Sequence, residues 1–128
     1  EKSGDYDHAH AGLPLVQHSL QLMLHQYKQG RISLEKMVEK MCHAPAICFQ
    51  IHNRGFIREG YFADLVLIDP NGKSPVNKET IQYKCAWSPL EGTTFNHAID
   101  KVWVNGTLSL SNNQELEHNA QRLMFDRN

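Results

Sequence analysis

Alternating histidines such as His8-Ala9-His10 can bring two imidazoles to one metal ion, because side chains two apart on an extended segment share a face. Zinc needs three or four converging ligands, and this pair stands among charges and glycines with no apolar strand before it. We read His8 and His10 as loop histidines. His18 and His25 lie seven residues apart on one face of a helical pattern, with nothing acidic at ligand spacing, and read as packing or polar-face residues. Asp64 and Asp69 have the chemistry for acid–base exchange, yet both border a β-rich run, where carboxylates close turns and sheet ends. No base is placed by the sequence beside Cys42, Cys48 or Cys85, so these read as reduced, packed thiols and not as nucleophiles. Trp87 and Trp103 read as core or interface residues.

Composition narrows the partners further. A chain of 128 residues with 41% hydrophobic and 21% charged side chains holds at most one or two small packed units. Its 13 basic and 14 acidic side chains leave a formal charge of -1, without the clustered Lys and Arg that attract nucleic acid or an anionic membrane, so neither is expected as a ligand. An odd number of cysteines without a C-x-x-C pair argues against a disulfide framework or a cysteine zinc site and fits a cytoplasmic setting. The apolar stretches at residues 20–24 and 65–68 are far short of the ~20 residues a membrane helix needs. The polar start lacks the apolar core of a signal peptide and reads as a loop entered in mid-course.

These residues need elements to position them. Leu15, Val16, Leu20, Met23, Leu24 and Tyr27 recur at three- and four-residue spacing after Pro14, and Gly30 can stop the helix they predict. Ser33 can cap a second helix carrying Leu34, Met37, Val38 and Met41, ending near His43. Pro45 can start a short third one, before Asn53-Arg54-Gly55 turns the chain. Phe56-Ile57 and residues 63–68 then read as a strand pair, stopped by Asp69-Pro70-Asn71-Gly72. Residues 83–87 have an extended character. Residues 98–104 and 107–110 predict a hairpin around Asn105-Gly106, the pair a type I′ turn requires. From Ser111 the chain is polar, with Leu116, Leu123, Met124 and Phe125 available to dock. Helices first and a small sheet afterwards is the main organisational feature, and the two halves need not share one core.

The run Arg54-Gly55-Phe56-Ile57-Arg58-Glu59-Gly60-Tyr61-Phe62-Ala63-Asp64-Leu65-Val66-Leu67-Ile68-Asp69 resembles the segment after the barrel in metal-dependent amidohydrolases, although many relatives have Asp where this chain has Phe62. Gly55 and Gly60 suit turns with positive φ in that pattern. Lys84-Cys85-Ala86-Trp87-Ser88-Pro89-Leu90-Glu91-Gly92 resembles a dihydroorotase segment, and Val102-Trp103-Val104-Asn105-Gly106 resembles the family's final hairpin. Upstream, Ala9-His10-Ala11-Gly12-Leu13-Pro14 resembles the loop after the last barrel strand, with His10 where many relatives have Pro. On these motifs the chain is similar to the carboxy-terminal part of a class I-like dihydroorotase.

The resemblance implies an α/β fold: the carboxy-terminal segment of a (β/α)8 amidohydrolase barrel, supplying its last helices, followed by part of a small β-sandwich. Residues 1–53 would belong to the barrel domain and residues 54–128 to the sandwich portion and tail. A complete barrel takes about 250 residues, so this chain cannot hold one. The family's metal-binding histidines, carboxylated lysine and catalytic aspartate would all precede Glu1, leaving no catalytic residue and no metal ligand here. Zn2+ is implied for the complete enzyme, which would interconvert N-carbamoyl-L-aspartate and L-dihydroorotate in pyrimidine synthesis. Ala11 and Gly12, with His10, would offer loop amides to the small anionic substrate. The expected partners are the remainder of the barrel and, by resemblance, a second copy in a homodimer. An allantoinase- or hydantoinase-like hydrolase is the alternative enzyme, and a non-catalytic interaction module is the alternative of another class.

Overall fold

In the computed structural model, residue 7, residues 12–117 and residues 119–126 are described. Helices occupy the first part of the chain and strands the second. A 3-10 turn, Val16–His18, leads into α1, Ser19–Lys28. Helix α2, Leu34–Val38, opens on Ser33, whose hydroxyl accepts from the Lys36 amide at 3.2 Å.

The expected break near His43 does not occur. The chain passes from α2 through a π-helical turn, Glu39–His43, directly into α3, Ala44–Cys48. Pro45 has no N–H for the carbonyl four residues back, and its ring would crowd that carbonyl in an α-helix. The wider turn, in which the Ala44 amide reaches the Glu39 carbonyl, accommodates it. Gly55 then packs against this helix with φ +80°. A Cβ there would lie 2.4 Å from the Ala46 Cβ and 2.7 Å from the Cys42 carbonyl, so only glycine fits.

The sheet runs β1-β4-β5-β6, all antiparallel, from β1, Leu65–Asp69, through β4, Ala98–Val104, and β5, Thr107–Ser111, to β6, Gln114–Glu115. A separate short pair joins β2, Ser74–Pro75, to β3, Thr94–Phe95. The β4–β5 turn has φ +50° at Asn105 and +81° at Gly106, the type I′ pattern expected there.

Two strand expectations are corrected. Residues 56–57 form no strand; β1 pairs instead with β4, some thirty residues on, because residues 53–61 are consumed in turns around Gly55 and Gly60. Residues 83–87 are not extended either: Ala86 has φ +55° and its amide reaches back to the Tyr83 carbonyl at 2.9 Å, which closes a turn. The β5–β6 hairpin, with φ +50° at Asn112 and +61° at Asn113, is not expected from the sequence because the pair lacks glycine. The tail docks through a bridge between Ile51 and Phe125.

Leu24, Met37, Ala46, Val76 and Phe95 are the buried apolar residues among those described. The cysteines are not among them. Cys42, Cys48 and Cys85 are all exposed free thiols, contrary to the packed state expected, because Met37 and Ala46 take the inward positions of their helices and Cys85 sits in a surface turn.

Candidate functional site: the loop-to-helix junction

Gly12 stands at the upstream edge of the described residues 12–117, exposed, at φ +88°, with no atom of the described residues within 4 Å of where a Cβ would stand. Three residues later the chain enters the 3-10 turn, where the Leu15 carbonyl accepts from the His18 amide at 3.0 Å and from the Ser19 hydroxyl at 3.1 Å. Two side chains tie this turn to the second half of the chain. Gln17 donates its side-chain amide to the Thr80 carbonyl at 2.7 Å and accepts from the Gln82 amide at 2.9 Å, so both ends of its carboxamide are used. His18 Nδ1 lies 3.0 Å from the Tyr83 hydroxyl. The Tyr83 hydroxyl is pushed above the ordinary tyrosine range by burial, against the opposing pull of the Gln17 and His18 backbone.

One turn further on, helix α1 meets the short β2–β3 pair. The Gln21 carbonyl accepts from His97 Nε2 at 3.0 Å, which makes His97 a donor there and leaves Nδ1 buried with no partner among the described residues. Phe95 stands between three imidazoles, with ring centroids 6.5 Å from His18, 6.1 Å from His25 and 5.5 Å from His97. At the end of α1, Lys28 donates to the Asn96 carbonyl at 2.5 Å and to the Pro70 carbonyl. Burial holds the His18 imidazolium form below the usual histidine range. It does the same at His97, reinforced by Lys28 and His25 and opposed by the bond to Gln21. Both rings are therefore neutral near pH 7. Beside them opens a cleft of about 360 Å³, walled by Gln17, His18 and Gln21 on one side, Thr80 and Gln82 on another, and Ile99, Val102 and Leu110 of the sheet.

The residues singled out in the sequence are distributed unevenly. His10 and Ala11, with His8, lie outside the described residues, so of the three expected substrate contacts only Gly12 is placed. His18 and His25 are packing residues around Phe95. Asp64 accepts from Arg54 and from the Asn105 amide, at 2.8 Å for the latter, and Asp69 accepts from the Asn71 amide at 2.9 Å; both close turns. Among the described residues no three His, Cys, Asp or Glu side chains converge where a metal could be held. Sequence reasoning missed His97, Tyr83, Gln17 and Lys28. The signal available was the placing of Gln17, His18, Gln21, His25 and Lys28 at three- and four-residue steps, which gives α1 a polar stripe facing the sheet.

Helices that precede a small antiparallel sheet, joined to it at a loop-to-helix junction, give the chain an α/β architecture. Comparison with known proteins agrees: the pattern of the amidohydrolase family matches residues 6–108, and the chain belongs to that family. It is 34% identical over 92 residues to a dihydroorotase of Halobacterium salinarum, covering 72% of this chain and 22% of that protein. It is 32% identical over 106 residues to an allantoinase of Solibacter usitatus, covering 82% and 23%. Among solved structures, the L-hydantoinase (dihydropyrimidinase) of Arthrobacter aurescens superposes with a TM-score of 0.79 at 30% identity, over 85% of this chain and 25% of that one. The chain thus spans about a quarter or less of the length of these relatives. No described helix is long and apolar enough to cross a membrane.

Proposed function

We propose that this chain is part of a cyclic-amide hydrolase of the dihydroorotase type, interconverting N-carbamoyl-L-aspartate and L-dihydroorotate with a zinc centre supplied by other residues of the complete enzyme. Residues 1–53 go with its barrel domain and residues 54–128 with its small β-sandwich. The observation that carries this reading is the segment Lys84-Cys85-Ala86-Trp87-Ser88-Pro89-Leu90-Glu91-Gly92, taken with relatives named dihydroorotase. Its turns put Tyr83 against His18, and His18 begins the helix after the Gly12 loop. Loop amides at Ala11 and Gly12, beside His10, are where the anionic substrate binds. The role of residues 76–92 is then to hold the exit of that loop, through the bonds made by Gln17 and His18.

The test is turnover of L-dihydroorotate, allantoin and hydantoin by the complete enzyme and by the 128-residue chain. We expect the complete enzyme to prefer dihydroorotate and the isolated chain to be inactive. Gly12→Val forces a β-branched residue into φ +88° and is expected to raise KM by about tenfold, for a backbone strain of one to three kcal/mol. Preference for allantoin or hydantoin would move the assignment to a sister hydrolase. Turnover by the isolated chain would overturn the division of labour.

A further inference from the structure

The chain contains two Asn-Gly pairs, Asn71-Gly72 and Asn105-Gly106, and the fold holds them in opposite ways. Glycine carries no side chain to hinder its own backbone nitrogen, so in such a pair that nitrogen can reach the preceding carboxamide. At Asn105 every group involved is engaged. Its Oδ1 accepts from Arg54 Nη2 at 2.6 Å and its Nδ2 donates to the Asn119 carbonyl at 2.5 Å. The Gly106 amide, the would-be nucleophile, donates to the Ala63 carbonyl at 3.0 Å. Asn71 is the reverse: it is exposed, its carboxamide has no hydrogen-bond partner among the described residues, and the Gly72 amide makes only a long 3.4 Å contact with the Asp69 carbonyl.

We propose that Asn71-Gly72 is a spontaneous modification site of the folded protein, converting through a cyclic imide to aspartate and isoaspartate, while the fold protects Asn105-Gly106. The Gly72 nitrogen loses its proton and bonds to Asn71 Cγ. The Cγ–Nδ2 bond breaks, and Nδ2 takes up a proton and leaves as ammonia. One water then adds to either imide carbonyl and opens the ring, with no redox change. The product carries a new carboxylate and, in the isoaspartate form, one extra methylene in the main chain.

The surroundings make that methylene consequential. A Cβ on Gly72 would lie 2.6 Å from the Ala98 Cβ, so the lengthened turn cannot move towards β4 and must bulge outward. The adjoining Pro70 carbonyl is one of the two that Lys28 holds. Modification therefore loosens the clamp at the end of α1.

The intact protein carrying this chain is incubated in ¹⁸O-water in mildly alkaline buffer, folded and in denaturant, and both sites are followed by peptide mass mapping. We expect label at residue 71 to accumulate about tenfold or more faster than at residue 105 in the folded protein, as the hydrogen bonds at Asn105 must break before reaction. In denaturant the two rates should converge, and Asn71→Gln should abolish labelling at its site only. Equal rates in the folded state, faster reaction at residue 105, or an unchanged ratio in denaturant would each overturn the proposal, the last by placing the difference in sequence and not in fold.

Discussion

Two of the contacts that bring later residues back onto the first part of the chain each use a histidine, in opposite ways. At the α1 junction His97 is 1% exposed, neutral, and packed against Phe95, whose ring also stacks with His18. At the far end, His52 meets Asp126 at 2.7 Å with side chains 41% and 66% exposed, beside two backbone bonds, His52 to Met124 and Asp126 to Gln50. Burial converts aromatic area into stability and penalises charge, whereas an exposed pair keeps its water and gains little. The first contact should set the fold's stability, and the second should only fasten the tail.

The most direct way to break that contrast is to remove the ring at the centre of the junction. Phe95 is 2% exposed, and Phe95→Ala is expected to lower unfolding free energy by about 3 to 5 kcal/mol, read from urea transitions. A loss under about 1.5 kcal/mol would mean that the three imidazoles pack as well without it.

The next largest effect is a pH dependence. The folded-state pKa of His97 is lowered from 6.5, chiefly by burial, so the unfolded chain binds the proton more readily. Stability from the neutral ring is complete above pH 6.5, then falls as pH drops from 6.5 towards the lower folded value, and levels off beneath it. His18 is lowered in the same direction by burial and adds to the slope. Unfolding free energies measured across this window should fall by at most about 1.4 kcal/mol per pH unit for each ring. His97→Gln should remove one ring's share of the slope. An unchanged slope in that variant would assign the titration elsewhere.

The same contrast explains what could be read beforehand. The Ser33 cap and the Asn105-Gly106 hairpin are local signals that appear where the residues place them, whereas α1 begins only at Ser19 and leaves Val16 exposed, because the chain enters it through a 3-10 turn. The pairing of β1 with β4 was not legible, because the nearer apolar pair Phe56-Ile57 offers the same alternation and only the tertiary turn at Gly55 removes it. His97 was invisible for a similar reason: one histidine in Asn96-His97-Ala98 has no period, and its role exists only once Gln21 and Phe95 are brought to it. The motif resemblance located the loop at Gly12, but not the bonds of Gln17 and Tyr83 that fix its exit.

The smallest effect belongs to the tail. Asp126→Asn removes the carboxylate opposite His52 but leaves the Asp126 amide bond to Gln50 and the Ile51–Phe125 bridge in place. Because both side chains are open to solvent, the loss in global stability should stay below about 1 kcal/mol. Amide hydrogen exchange gives the sharper reading: faster exchange confined to the His52 and Asp126 amides would mark local release of the tail, with α1 unaffected. Faster exchange along α1 as well would mean that tail and junction open as one unit, and the division between a buried neutral anchor and an exposed polar fastening would fail.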